Sequence, residues 1–173
     1  SRATLLTGRY AQRLGVPELN GVVFPETKNG LLGGITMADI LRYNGYLTGC
    51  VGKWHLGHYR PEFLPTSHGF DFFRGIPYGN DMSPLPYYRD MEIADRVDDA
   101  RETLTERFAA DAIDFVTQAQ TFGNVPFFLY LAFTAPHIPL QPTAPFLGQS
   151  GAGLYRDMLL ELDWYVGQVV KNL

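Results

Sequence analysis

The chain has 173 residues, of which 46% are apolar and 18% charged, enough for one globular domain, or a large piece of one, with a real core. Its net charge of -4 leaves no basic patch, so nucleic acid is not expected as a partner, and no apolar run reaches 18 residues, which excludes a spanning helix and leaves no membrane partner expected. Cys50 is the only cysteine, which excludes a disulfide framework and a thiolate metal cluster; between Gly49 and Val51 it reads as a small buried hydrophobe.

In chain order, Ser1 to Leu6 can open a short helix, with Ser1 near its cap and Gly8 near its end. Such a start favours anions, and Arg2 adds a planar cation suited to an oxyanion. Thr36 can cap a second helix through about Tyr43, with Asn44-Gly45 as the stop. Residues 46–51 then read as a buried strand. The stretch 56–99 is rich in Pro, Gly, Tyr and Asp, has no sustained period, and reads as a long irregular active-site loop region. Within it, Tyr78, Tyr87 and Tyr88 could stack on a sugar or simply pin the loop, His58 could face a substrate, and His68 reads as a loop anchor.

Leu104, Phe108, Ala112, Phe115 and Ala119 recur at helical spacing before Gly123. The continuous apolar run 126–133 suits a central strand covered on both faces. A last helix is expected over 155–172, with Met158, Leu159, Leu162, Tyr165, Val166 and Val169 inward. This alternation predicts an α/β fold with a mostly parallel central sheet flanked by helices. Sites in such sheets form beyond the carboxyl ends of the strands. Those positions hold Gly52-Lys53-Trp54-His55 and Thr134-Ala135-Pro136-His137.

Two stretches then carry a resemblance. Ser1-Arg2-Ala3-Thr4-Leu5-Leu6-Thr7-Gly8 is similar to the second part of the sulfatase signature, Cys (or Ser)-x-Pro-Ser-Arg followed by two residues, two apolar residues, Thr and Gly. Gly45-Tyr46-Leu47-Thr48-Gly49-Cys50-Val51-Gly52-Lys53-Trp54-His55 fits the second signature, Gly-Tyr-x-Thr-x-x-x-Gly-Lys-x-His, at every fixed position. The similarity continues through His68-Gly69-Phe70-Asp71, residues 126–130, Ala135-Pro136-His137, Arg156-Asp157 and Glu161-Leu162-Asp163. The whole chain thus resembles part of a formylglycine-dependent sulfatase of the alkaline phosphatase superfamily, nearest the arylsulfatase A and N-acetylgalactosamine-6-sulfatase branch.

The resemblance implies hydrolysis of sulfate monoesters of sugars or aryl alcohols. The nucleophile would be a formylglycine made from a Cys or Ser three residues before Ser1 by a formylglycine-generating enzyme. Its hydrate attacks sulfur, the alcohol leaves, and sulfate is expelled as the aldehyde re-forms. Arg2 matches the arginine that steadies the formylglycine, and Lys53 a lysine that bridges nucleophile and sulfate. His55 matches the histidine bonded to the formylglycine hydroxyl, and His137 one that contacts the ester and protonates the leaving oxygen. The resemblance also implies calcium, with ligands outside this chain and none assigned within it; the 173 residues alone are expected to be inactive. Periplasmic, secreted or lysosomal relatives point to a compartment outside the cytosol, and the absence of an Asn-x-Ser/Thr sequon favours a bacterial periplasm. A phosphoester or phosphonate hydrolase of the same superfamily, and a non-catalytic sulfate-binding relative, are the alternatives.

Overall fold

The structure is a computed structural model that describes residues 1–14, 22–123 and 125–173. Helix α1 spans Arg2–Thr7, with Ser1 as its N-cap residue and Gly8 in the left-handed conformation that ends it. Helix α2 spans Met37–Tyr43 and opens on a full capping box, in which the Thr36 hydroxyl accepts from Asp39 N–H and the Asp39 carboxylate accepts from Thr36 N–H. Strand β1 follows over Leu47–Lys53, so it runs two residues past the expected end and carries Gly52 and Lys53 itself.

The stretch expected to be irregular contains three strands: β2 (Phe72–Ile76), β3 (Pro86–Arg89) and β4 (Glu92–Arg96). They escape a pattern search because they are four or five residues long, and because β4 is exposed at every position. Alternation needs one buried face to show itself. Helix α3 (Leu104–Thr121), strand β5 (Phe127–Ala132) and helix α4 (Leu154–Lys171) complete the order.

The five strands form one sheet in the order β4-β3-β2-β1-β5. Strand β1 lies parallel to both β2 and β5, whereas β2-β3 and β3-β4 are antiparallel. The sheet is therefore mixed, rather than mostly parallel, because the unforeseen strands return as a meander. Among the described residues β5 is an edge strand, and five of its six residues are only half-buried, unlike the central strand its apolar run suggested.

Side chains alternate between two cores, as the pleat requires. Val51, Phe72, Tyr87 and Leu129 face α3 on one side. Cys50, Phe73, Tyr88 and Tyr130 face the other side, with Ala3 and Leu6 of α1 and Ala38 of α2. Leu104, Phe108, Ala112, Phe115 and Ala119 of α3 are all buried, as their spacing predicts. Cys50 has no exposure, and burial raises its thiol pKa, so it is an inert packing group.

Helix α4 departs from its expected inner face. Met158 and Val169 are buried, but Leu159 and Val166 are exposed, and Asp157 and Glu161 lie inward instead. The reason is polar. Asp157 accepts from the Gly148 and Ser150 N–H groups, both at 2.9 Å, and Glu161 accepts from the Thr143 N–H at 2.9 Å. The two acids tie down the loop between β5 and α4, and their donors make burial tolerable.

Candidate active site

Three of the four predicted site residues meet at the carboxyl end of β1. Ala3 and Leu6 anchor α1 in the core and leave Arg2 half-buried at its first turn. The Arg2 Nη1 donates to the Lys53 carbonyl at 2.8 Å and to the Tyr130 hydroxyl at 2.9 Å. Both bonds use one nitrogen, which leaves the Nη2 and Nε hydrogens for another acceptor.

Lys53 is 8% exposed, an unusual burial for an ammonium. Burial lowers its pKa first and the Arg2 charge lowers it further, while the carboxylate of Asp81 pulls the other way. Two cations share the site with little screening, an arrangement that an incoming anion relieves.

His55 sits two residues on, with φ at 62°, left-handed backbone that a non-glycine residue seldom adopts. Its N–H donates to the Pro77 carbonyl at 2.9 Å and its neighbour Trp54 N–H to the Ile76 carbonyl at 3.0 Å, so the turn continues along β2. The ring Nε2 lies 3.1 Å from the Val23 carbonyl. A carbonyl can only accept, so Nε2 carries the hydrogen and Nδ1 keeps its lone pair. Burial, then the charges of Lys53 and Arg2, push the pKa of His55 down to about 4. The imidazole is thus neutral at working pH and free to take a proton.

That shift predicts a stability effect. A histidine with a folded pKa near 4 and an unfolded value of 6.5 contributes its full stability above pH 6.5. The contribution falls as the pH drops from about 6.5 toward 4, because only the unfolded chain binds the proton readily. Urea unfolding of the full-length protein across that window should show a slope that His55→Gln reduces by about one proton. Equal slopes would refute the burial of a neutral His55.

His137 stands apart from this group. It follows β5, its side chain is exposed, and its Nδ1 donates to the Ile138 carbonyl at 2.6 Å. That bond leaves Nε2 open to the outside. The ring bond and the Thr134 carbonyl, which accepts the His137 N–H at 2.9 Å, both hold it within its own loop.

Two neighbours were not foreseen. Tyr130 lies opposite Cys50 in the β1–β5 ladder, and burial keeps its phenol neutral. Sequence shows only an apolar strand there with a single hydroxyl, and nothing local ties that hydroxyl to Arg2. Asp81 acts by charge on both Lys53 and His55 from a turn that no motif marks.

The tyrosines weighed as a sugar platform are core residues. Tyr78 donates to the Pro84 carbonyl, Tyr87 stacks on Phe108 and Tyr88 on Phe73, and all three are at most 7% exposed. His58 Nε2 donates to the Pro25 carbonyl at 3.0 Å with its ring edge against Tyr78. His68 is buried and stacks on Trp54, while its carbonyl accepts the Thr36 hydroxyl at 2.8 Å. Among the described residues no group of three or more His, Cys, Asp or Glu side chains is placed to hold a metal ion. No described helix is long and apolar enough to cross a membrane.

The family model described as Sulfatase matches residues 1–173. N-acetylgalactosamine-6-sulfatase of Canis lupus familiaris is 38% identical over 100% of this chain and 37% of its own length. Arylsulfatase A of Bos taurus is also 38% identical, over 98% of this chain and 38% of its own length. The chain therefore spans just over a third of the length of the curated relatives it matches. The crystal structure of Ps i-CgsB in complex with k-i-k-neocarrahexaose superposes with a TM-score of 0.80 at 28% identity, over 99% of this chain and 43% of that one. With its signature residues gathered at one strand end and a match along its entire length, the chain belongs to the sulfatase family.

Proposed function

We propose that the full-length protein hydrolyses sulfate monoesters, most simply those of sugars, and that residues 1–173 form part of its catalytic domain. The observation that carries this is the half-buried Arg2, bonded to the Lys53 carbonyl, with the buried Lys53 ammonium and a neutral His55 beside it. A sulfate ester gathers negative charge on its oxygens as the S–O bond breaks, and fixed cations stabilise that state more than the ground state. In this reading Lys53 and the free N–H groups of Arg2 hold the sulfate oxygens. Tyr130 keeps Arg2 aimed. His55 accepts a proton at Nδ1, and the open Nε2 of His137 gives one to the departing alcohol oxygen.

A formylglycine, which we place upstream of Ser1 by analogy with the family, would supply the attacking hydroxyl. Arg2 suits that assignment, since α1 begins against the Lys53 carbonyl. Calcium enters by the same analogy alone. The named sugar sulfatases among the relatives support a sulfated sugar or polysaccharide as substrate, and the family supports a formylglycine-generating enzyme as partner. A periplasmic, secreted or lysosomal setting completes the reading.

Turnover of 4-nitrophenyl sulfate and 4-nitrophenyl phosphate by the full-length protein tests it. Faster sulfate cleavage is expected. Faster phosphate cleavage would overturn the assignment in favour of a phosphoester hydrolase, and sulfate binding with no turnover would point to a non-catalytic relative.

A further inference from the structure

Beside the cation pair lies a concavity of different character. A cleft of about 350 Å³ is lined by Asp81, Ser83, Arg101, Ile138 and Pro139, a size at the small end for ligand pockets. One wall, Ile138-Pro139, follows His137 directly in the chain. Asp81 on the other wall is the residue whose charge acts on Lys53 and His55. The cleft therefore lies between the loop that carries His137 and the acid whose charge reaches Lys53.

Its charges are specific. The Arg101 Nη1 donates to the Asp98 carbonyl at 2.7 Å, and its Nη2 bonds Ser83 Oγ at 2.5 Å and Asp98 Oδ1 at 3.2 Å. Paired with Asp98, this guanidinium is pinned and its charge is balanced. Asp81 is exposed and forms no ion pair among the described residues. Ile138, 64% exposed, adds an apolar surface. The carboxylate rests against Gly79, where a Cβ would overlap its Oδ1. A free carboxylate facing an apolar wall suits a ring with hydroxyl donors on one edge and C–H groups on its face. It disfavours a second anion.

We propose that this cleft holds the uncharged sugar ring that carries the scissile sulfate, with Asp81 accepting its hydroxyl hydrogens and turning away a neighbouring second sulfate. The assignment presupposes sulfate-ester hydrolysis at Lys53. It makes Asp81 a specificity residue and gives Gly79 the task of leaving room for it.

Competition against 4-nitrophenyl sulfate turnover by the full-length protein tests it, with galactose 6-sulfate and galactose 4,6-disulfate as competitors. The wild type should bind the monosulfate about tenfold more tightly. Asp81→Asn, which removes the charge, should narrow that preference to about twofold or less, and Gly79→Ala, which displaces the carboxylate, should narrow it too. Equal binding of the two sugars by the wild type would overturn the cleft assignment while sulfate hydrolysis stands. An undiminished preference in a folded Asp81→Asn protein would do the same. Failure to cleave the aryl ester at all would instead sink the hydrolase assignment and this one with it. The wild-type ratio and the Asp81→Asn variant keep the test intact should Gly79→Ala fold poorly.

Discussion

Replacing Lys53 by methionine is expected to lower kcat/KM of the full-length protein for a sulfate ester by about 10²- to 10³-fold, the usual cost of deleting one preorganised charge donor. The same change should leave the thermal midpoint unchanged or raise it. Lys53 is 8% exposed beside the Arg2 guanidinium, and both burial and that like charge disfavour its ammonium. Methionine keeps the stem and removes the penalty. A residue that costs stability while the site is empty, and repays it when an anion arrives, is the pattern expected of a functional cation. The two readouts separate the possibilities. Lost turnover with a steady midpoint supports the role, lost turnover tracking a lowered midpoint makes Lys53 structural, and full turnover removes it from the chemistry. Asp81 modulates the effect because its carboxylate alone opposes burial and the Arg2 charge, which both disfavour the Lys53 ammonium.

Much of this site is legible in the sequence, for a physical reason. Arg2, Lys53 and His55 sit at local landmarks: the first turn of a helix that Ser1 and Gly8 delimit, and the end of a strand that starts at an Asn-Gly stop. Local signals of that kind depend on neighbours in sequence. Tyr130 and Asp81 do not. Tyr130 matters because the β1–β5 register sets it opposite Cys50, and register is a long-range property. Asp81 matters because a turn after β2 brings it over Gly79 near Lys53, almost 30 residues upstream in the chain. The same distinction runs through the fold. The α3 stripe could be read because every apolar position faces one core. The meander β2-β3-β4 could not, since its strands are short and its outer edge is wet. In α4 the apolar pattern itself misled: Asp157 and Glu161 are buried because backbone donors of the loop leading into the helix await them, and no periodicity records such donors.

The largest loss of stability is expected from Gly52→Ala. Gly52 lies in the centre of the sheet, with φ at 109°, where β1 pairs with β2 on one side and β5 on the other. Its conformation is one that side-chain-bearing residues rarely hold, and a Cβ would overlap the Ala132 carbonyl on β5. Neither partner can yield cheaply, because the obstacle is backbone rather than the tip of a flexible side chain. Strain and steric overlap together place the cost at about 4 kcal/mol or more, enough to unfold many domains. Any fold that survives must part β1 from β5 at the residue before Lys53. Its carbonyl holds Arg2 and its neighbouring strand holds Tyr130, so such a protein would lose the cation pair as well. Chemical denaturation of the full-length Gly52→Ala protein, followed by circular dichroism, measures the first effect, and residual aryl sulfate turnover the second. A midpoint within about 0.5 kcal/mol of the wild type would show that the strand pair tolerates the methyl group, and the close approach that aligns Lys53 with Arg2 would then have to be abandoned.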